Sequence, residues 1–214
     1  DSYRVATCSF DGIIRLWNVS TGREVRTLYG HSDRVLDVEF SRDGKSLLSA
    51  GTVGTLHIWD VATGQLTNSL LGHTGSVTSA TFHPDGEQAV SSSTDGTLKV
   101  WEMTRGQKAL TLRGHTHNVY GVNFSPDGKQ VVSSSEDETI RLWNATTGEE
   151  ILVLNGHGDR VNSAEFSPDG TQIVSSSLDK TVKLWHAATG HEIRTLQGHS
   201  SFVNCATFNW TGDR

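Results

Sequence analysis

Histidine, serine and aspartate recur together along this chain, as in His115, Ser133 to Ser135 and Asp137, with Trp143 following. These are the residue types of a hydrolase, in which a nucleophile, a base and an orienting carboxylate converge beside an oxyanion pocket. The same set returns at His73, Ser91 to Ser93, Asp95 and Trp101, and again at His157, Ser175 to Ser177, Asp179 and Trp185, always 42 residues apart. A catalytic centre has no reason to recur at a fixed interval, whereas a hydrogen-bond network that locks a repeated unit does. Outside that register no unique polar constellation stands out. His117 beside Asn118 comes nearest, and it reads as a solvated loop histidine. Five of the ten histidines belong to the Gly-His turns that recur every 42 residues and the others are scattered, so no metal cluster or cofactor is expected.

The elements that must carry these residues follow the same interval. Trp17, Trp59, Trp101, Trp143 and Trp185 are 42 residues apart, as are the Gly-His pairs ending in His31, His73, His115, His157 and His199. Phe40, Phe82, Phe124, Phe166 and Phe208 keep the same step. A period held without insertion means that one 42-residue module is used five times. Turn sequences such as Pro126-Asp127-Gly128 and Thr147-Gly148 separate runs of five to seven residues, among them Gln130 to Ser135, Thr139 to Asn144 and Glu150 to Leu154. Runs this short, β-branched or alternating and bounded by turn chemistry, predict strands. Four fit in each unit: one ending at the Phe, one rich in Ser, one carrying the Trp and one before the next Gly-His.

With its Gly-His, Pro-Asp-Gly, Ser-Ser-Ser, Asp and Trp markers, the chain resembles the WD40 family of β-propellers over essentially all 214 residues. The literal Trp-Asp pair occurs only at Trp59-Asp60. The resemblance implies an all-β fold, a single propeller domain over 1–214 with five blade equivalents, each a four-stranded antiparallel sheet. It also implies a structural role for three complete sets: His73, Asp95 and Trp101; His115, Asp137 and Trp143; His157, Asp179 and Trp185. The carboxylate would accept from one imidazole N–H, leaving the ring and a Ser hydroxyl to satisfy the indole N–H. One set is broken, because Val53 stands where the Asp of the His31 and Trp59 unit belongs.

Family members usually have seven blades, and five units raise the question of closure. The chain opens on the last three strands of a unit, at 3–28, and ends on the first strand of one, at 202–208. Closure of a five-bladed ring would join these into one blade, complete a fourth set from His199, Asp11 and Trp17, and bring Cys205 near Cys8. The alternative is part of a larger propeller or an oligomer.

Composition agrees with short strands and many turns: hydrophobic residues are 35% of the chain and Gly occupies 22 positions. Summed repeats can bury a core that none could bury alone. Cys8 and Cys205 form no close-spaced pair and read as small thiols of a reducing compartment, so a cytoplasmic location is expected. No apolar run suits a membrane span, and a net charge of −6 gives no support to nucleic-acid binding, so neither a membrane nor nucleic acid is expected as partner.

Framework positions are set by packing, so function is expected where the units differ from one another. In the family, the Gly-His turn and the turn before the Asp share one rim, the top face. Three residues after each His stand Arg34, Ser76, Asn118, Arg160 and Phe202; immediately before each Asp position stand Phe10, Thr52, Thr94, Glu136 and Leu178; Tyr120 lies two beyond Asn118. Phe, Tyr, Leu and Arg on a polar ring are the mix of interface hot spots. The expected function is a non-catalytic scaffold binding a protein or peptide there. Phe10, Phe202 and Tyr120 would form its anchor, while Arg34 and Arg160 would face a carboxylate or phosphate, with Asp33 and Asp159 as competing partners. A structural module of a larger protein is the alternative, and a hydrolase a remote third.

Overall fold

A computed structural model describes residues 3–103 and 109–209, and every regular element among them is a strand. β1 (Arg4–Cys8), β2 (Ile14–Asn18) and β3 (Glu24–Leu28) make a three-stranded sheet. Four-stranded sheets follow: β4 (Val35–Phe40), β5 (Ser46–Gly51), β6 (Thr55–Asp60) and β7 (Leu66–Leu71); then β8 (Val77–Phe82), β9 (Gln88–Ser93), β10 (Thr97–Glu102) and β11 (Ala109–Arg113). The last two comprise β12 (Val119–Phe124), β13 (Gln130–Ser135), β14 (Ile140–Asn144) and β15 (Glu150–Leu154), and β16 (Val161–Phe166), β17 (Gln172–Ser177), β18 (Val182–His186) and β19 (Glu192–Leu196). Each sheet is an antiparallel meander in sequence order. This is the all-β, propeller-type architecture expected of the repeat.

The core lies between sheets rather than within one. Leu48, Leu56 and Leu70 of the β4–β7 sheet pack against Val77, Ala80, Phe82 and Trp101 of the next, and equivalent clusters fill the other boundaries. Trp59, Trp101, Trp143 and Trp185 are each no more than 1% exposed. Two of these indoles leave room only for a glycine before the His: a Cβ on Gly30 would lie 2.6 Å from Cη2 of Trp59, and one on Gly114 2.9 Å from Trp143. Any side chain there would lift the turn off the ring.

The first strands β4, β8, β12 and β16 neighbour one another in turn and share a common axis. Side chains bridge them where no backbone ladder runs. Asp37 accepts from Ala80 N–H (3.0 Å), Glu39 from Phe82 N–H (2.8 Å), and Asn123 donates to the Ala164 carbonyl (3.0 Å). Residues 202–208 continue the series as a segment without regular structure beside β16, held by Asn162 to the Val203 carbonyl (2.8 Å) and by Phe208 N–H to Glu165 (2.8 Å).

The expected closure does not occur. β1 pairs only with β2, and 202–208 forms no ladder with it. His199 is exposed without a hydrogen bond, Asp11 accepts from Ile13 N–H in its own turn, and Trp17 donates to Thr7 (2.8 Å). The physical reason is that the same interlocking of Trp, glycine and bridging side chains sets each sheet against its neighbour. Four such steps, from the first sheet to the fifth, leave the two end sheets unpaired.

Candidate functional site

The turns after β9, β13 and β17 bring the His, Ser, Asp and Trp side chains of each unit together, because a tight Asp-centred turn folds the Trp strand back beside the Ser strand. His73 Nδ1 lies 2.9 Å from Asp95 Oδ2, His73 Nε2 lies 2.8 Å from Ser91 Oγ, and Trp101 Nε1 donates to that same hydroxyl (2.8 Å). The distances repeat for His115, Asp137, Ser133 and Trp143, and for His157, Asp179, Ser175 and Trp185. One tautomer satisfies every atom: Nδ1–H donates to the carboxylate, Nε2 accepts the Ser hydroxyl proton, and the Ser oxygen accepts the indole N–H.

Burial dominates the histidines and lowers the pKa of His73, His115 and His157 despite the nearby carboxylates. Burial also opposes ionisation of Asp95 and Asp179. The Thr97 and Thr181 hydroxyls, backbone N–H groups and the imidazoles outweigh it and bring both carboxylates to about 2. Asp137 is lowered in the same way by His115 and Thr139. At neutral pH each set is therefore a carboxylate bonded to a neutral imidazole. With its lone pairs engaged and its Ser hydroxyl buried, the constellation has the form of a lock.

The unit with Val53 is rebuilt around its missing carboxylate, in a way sequence reasoning missed. His31 Nε2 and Trp59 Nε1 still meet Ser49 Oγ (2.7 and 2.8 Å), but His31 Nδ1 is buried without a partner. Asp33 Oδ1 is likewise buried and unpaired, while its other oxygen accepts from Thr52. His57 replaces the Arg or Lys found at positions 15, 99, 141 and 183, and its ring packs 4.2 Å from that of His31, centroid to centroid. Without a carboxylate at position 53, a cation here would have stood unpaired beside the histidine. Burial and the adjacent His57, only partly offset by Asp33, depress the His31 pKa to about 4. The signal in the sequence was the joint loss of the Asp and the basic residue from one unit.

On the rim, the residue before each Asp position bonds to the residue three after the His. Thr52, Thr94, Glu136 and Leu178 donate their backbone N–H to the carbonyls of Arg34, Ser76, Asn118 and Arg160 respectively, at 2.9–3.0 Å. Ser76 Oγ also donates to the Thr52 carbonyl (2.9 Å). The Arg34 guanidinium stands over the Phe10 ring at 5.0 Å, and Arg160 over Tyr120 at 4.3 Å, with its Nε donating to Asn162 (2.8 Å). Neither guanidinium forms an ion pair with its sequence neighbour: Asp33 takes the Thr52 hydroxyl, and Asp159 the backbone N–H of Arg160. Phe10 and Phe202 are 68% and 59% exposed. No ring contact joins Phe10, Tyr120 and Phe202 among the described residues; the rim carries two Arg–aromatic pairs, with Phe202 apart from both.

At the opposite end of the first strands lies a cavity of about 510 Å³ lined by Phe40, Phe82, Phe124, Phe166 and Phe208 with Pro84, Pro126 and Pro168. Its carboxylates Glu39 and Glu165 are already committed to backbone N–H groups. Among the described residues there is no helix long and apolar enough to cross a membrane, and no group of His, Cys, Asp and Glu suited to a metal ion.

Comparison with known proteins returns the repeat itself. The family described as "WD domain, G-beta repeat" matches residues 1–18, 22–60, 64–102, 106–144, 148–186 and 190–214. Mitochondrial division protein 1 of Eremothecium gossypii is 56% identical over 36 residues, 17% of this chain and 5% of that protein. The human Angio-associated migratory cell protein is 42% identical over 45 residues, and the Nuclear distribution protein PAC1 of Coccidioides posadasii 49% over 47, in each case 10% of the relative. The chain thus aligns with a tenth or less of the length of these curated relatives. Six consecutive repeat matches, on strands and hydrogen-bonded sets that recur in step with them, make this chain a member of the WD40 (G-beta repeat) family.

Proposed function

We propose that this chain is a non-catalytic scaffold whose rim of Gly-His and pre-Asp turns binds an acidic segment of a protein partner. The observation that carries this reading is the pair of cation–aromatic contacts, Arg34 on Phe10, both exposed, and Arg160 on Tyr120, both half-buried. Each presents a guanidinium without a carboxylate partner beside an apolar ring face. A guanidinium backed by an aromatic ring is held in place yet keeps N–H donors for a ligand carboxylate or phosphate, the combination found in binding hot spots. The buried and fully bonded Ser-His-Asp sets support a framework role in preference to catalysis. The names of the partial relatives point to organelle division, cell migration and nuclear distribution, and membership of the family supports protein interaction in general.

The test is a titration of acidic and phosphorylated peptides against the unmodified chain, Arg34→Ala and Arg160→Ala. Each substitution is expected to weaken binding by about tenfold, the loss of roughly 1.4 kcal/mol of charge-assisted contact. Unchanged affinity in both variants would remove the rim from the mechanism.

A further inference from the structure

The cavity at the far end of the first strands from the rim combines an apolar wall with charge that its neighbours do not balance. The wall repeats with the framework, since β4, β8, β12 and β16 each end on a Phe that lines it. The residue before each Phe lines it too and changes from unit to unit: Glu39, Thr81, Asn123 and Glu165. Along these strands the charged residues are Asp37, Glu39 and Glu165, with no Lys, Arg or His among them. None of these carboxylates belongs to an ion pair among the described residues. They are held by neutral donors instead: Ala80 N–H on Asp37, Phe82 N–H and the Thr81 hydroxyl on Glu39, and Phe208 N–H on Glu165. Burial raises the pKa of Asp37 and of Glu39, the effect of removing a carboxylate from water without a counterion. Arg42 also lines the cavity, but it is exposed and pairs with neither glutamate.

We propose that this cavity binds a small organic ammonium ion, its charge towards Glu39 and Glu165 and its apolar body against the Phe side chains. A carboxylate offers about four lone-pair positions, so the bonds already made leave each glutamate able to accept from an ammonium N–H. Phenyl faces attract the same cation, and carboxylates set in low-dielectric walls focus their field on it. The volume, about 510 Å³, falls in the range of roughly 300–1,000 Å³ typical of small-molecule sites. A lysine side chain from a protein would bring the charge on a thin methylene stem and leave much of the phenyl wall unfilled. The site shares no residue with the rim, so its test and that of the rim reading are independent.

The probes are benzylammonium and benzyl alcohol, close in shape and different in charge, titrated calorimetrically into the chain at pH 7. Benzylammonium is expected to bind about tenfold more tightly. Glu39→Gln and Glu165→Gln should each reduce its affinity about threefold, and the double variant should remove the preference. Glutamine keeps a carbonyl for the N–H of Phe82 or Phe208, and an unchanged thermal melt separates loss of charge from loss of fold. Equal affinity for the two probes, no binding of benzylammonium, or a preference that survives in the double variant overturns the proposal. Tighter binding of Nα-acetyl-lysine methylamide than of benzylammonium also overturns it, and assigns the cavity to a side chain of a protein partner.

Discussion

Gly51 lies against the imidazole of His31: a Cβ on it would stand 2.7 Å from Nδ1 and 3.3 Å from Asp33 Oδ1. The other units carry Ser at this position, with hydroxyls that cap the Asp turn, as in Asp95 N–H to Ser93 (3.1 Å) and Asp137 N–H to Ser135 (3.1 Å). Loss of the Asp, of the capping Ser and of the basic residue therefore go together in one unit, and they leave two buried polar atoms facing the same glycine.

Restoring the carboxylate should repair that unit. In Val53→Asp the new side chain meets His31 Nδ1 and has Thr55 at the position from which Thr97 and Thr139 bond Asp95 and Asp137 (2.6 Å each). A gain of about 1–2 kcal/mol is expected, seen as a rise of roughly 2–8 °C in melting temperature for a chain of this size. In the unmodified chain the β4–β7 sheet should exchange its amide hydrogens first, and Val53→Asp should slow that exchange. Uniform protection across the sheets would contradict the account.

Two adjacent serines offer an internal control. Ser133 Oγ serves both His115 and Trp143, so Ser133→Ala strands two buried polar atoms and should cost about 2–6 kcal/mol, from roughly 1–3 kcal/mol for each unsatisfied group. Ser134 Oγ is buried without a partner, because Gly121 stands where Ser163 bonds Ser176 in the next unit (2.8 Å). Ser134→Ala reproduces Ala50 of the β4–β7 sheet and should leave stability unchanged or slightly raised. Urea denaturation of the two variants checks the contrast, which equal losses would remove.

The repeat was legible because packing repeats with it: the Trp, Gly-His and Phe intervals place the nineteen strands of the described residues and the His, Asp and Trp sets without reference to coordinates, and they also predict a strand at 202–208 that finds no partner to pair with. What could not be read were relations between residues distant in sequence or dependent on the turn per sheet. Arg34 and Arg160 follow Asp33 and Asp159, which suggested ion pairs; the turns aim the guanidinium groups at the rings of Phe10 and Tyr120 instead. Closure failed for a similar reason. The order of strands at the two ends is complementary, but the distance between the ends is the sum of small rotations that no residue records.

Acid should weaken the fold in two stages. His31, at about 4, lies below its ordinary 6.5 because burial disfavours its charged form, and His57, His73, His115 and His157 are lowered in the same sense. The unfolded chain binds these protons first, so the stability their neutral forms support is complete above pH 6.5 and is lost as pH falls towards 4. Asp95 and Asp179, at about 2 against 3.8, contribute stability that is present above 3.8 and lost as pH falls through 2. Asp37 and Glu39, raised by burial, act in the opposite direction and soften the decline. Denaturation midpoints from pH 8 to 2 should show both stages, with the upper one shallower in Val53→Asp. A flat profile between pH 6.5 and 4 would count against neutral buried histidines.

The turn before each Trp strand gives the last prediction. Gly12, Gly54 and Gly96 occupy one turn position with φ of 81°, 81° and 78°, but the two later units place Glu138 and Lys180 there at 67° and 72°. A non-glycine residue in this left-handed region costs about 1–2 kcal/mol from the approach of Cβ to the backbone, while glycine costs about 0.5–1 kcal/mol in chain entropy. Relief of the clash exceeds the entropy loss by a small margin, so Glu138→Gly and Lys180→Gly should each stabilise by about 0.5–1 kcal/mol. The sites lie in different sheets and share no hydrogen-bond partner, so the double variant should show the sum. Thermal melts of the two single variants and the double decide it, and a loss of stability in either single variant would mean that the longer side chain makes a contact worth more than its strain.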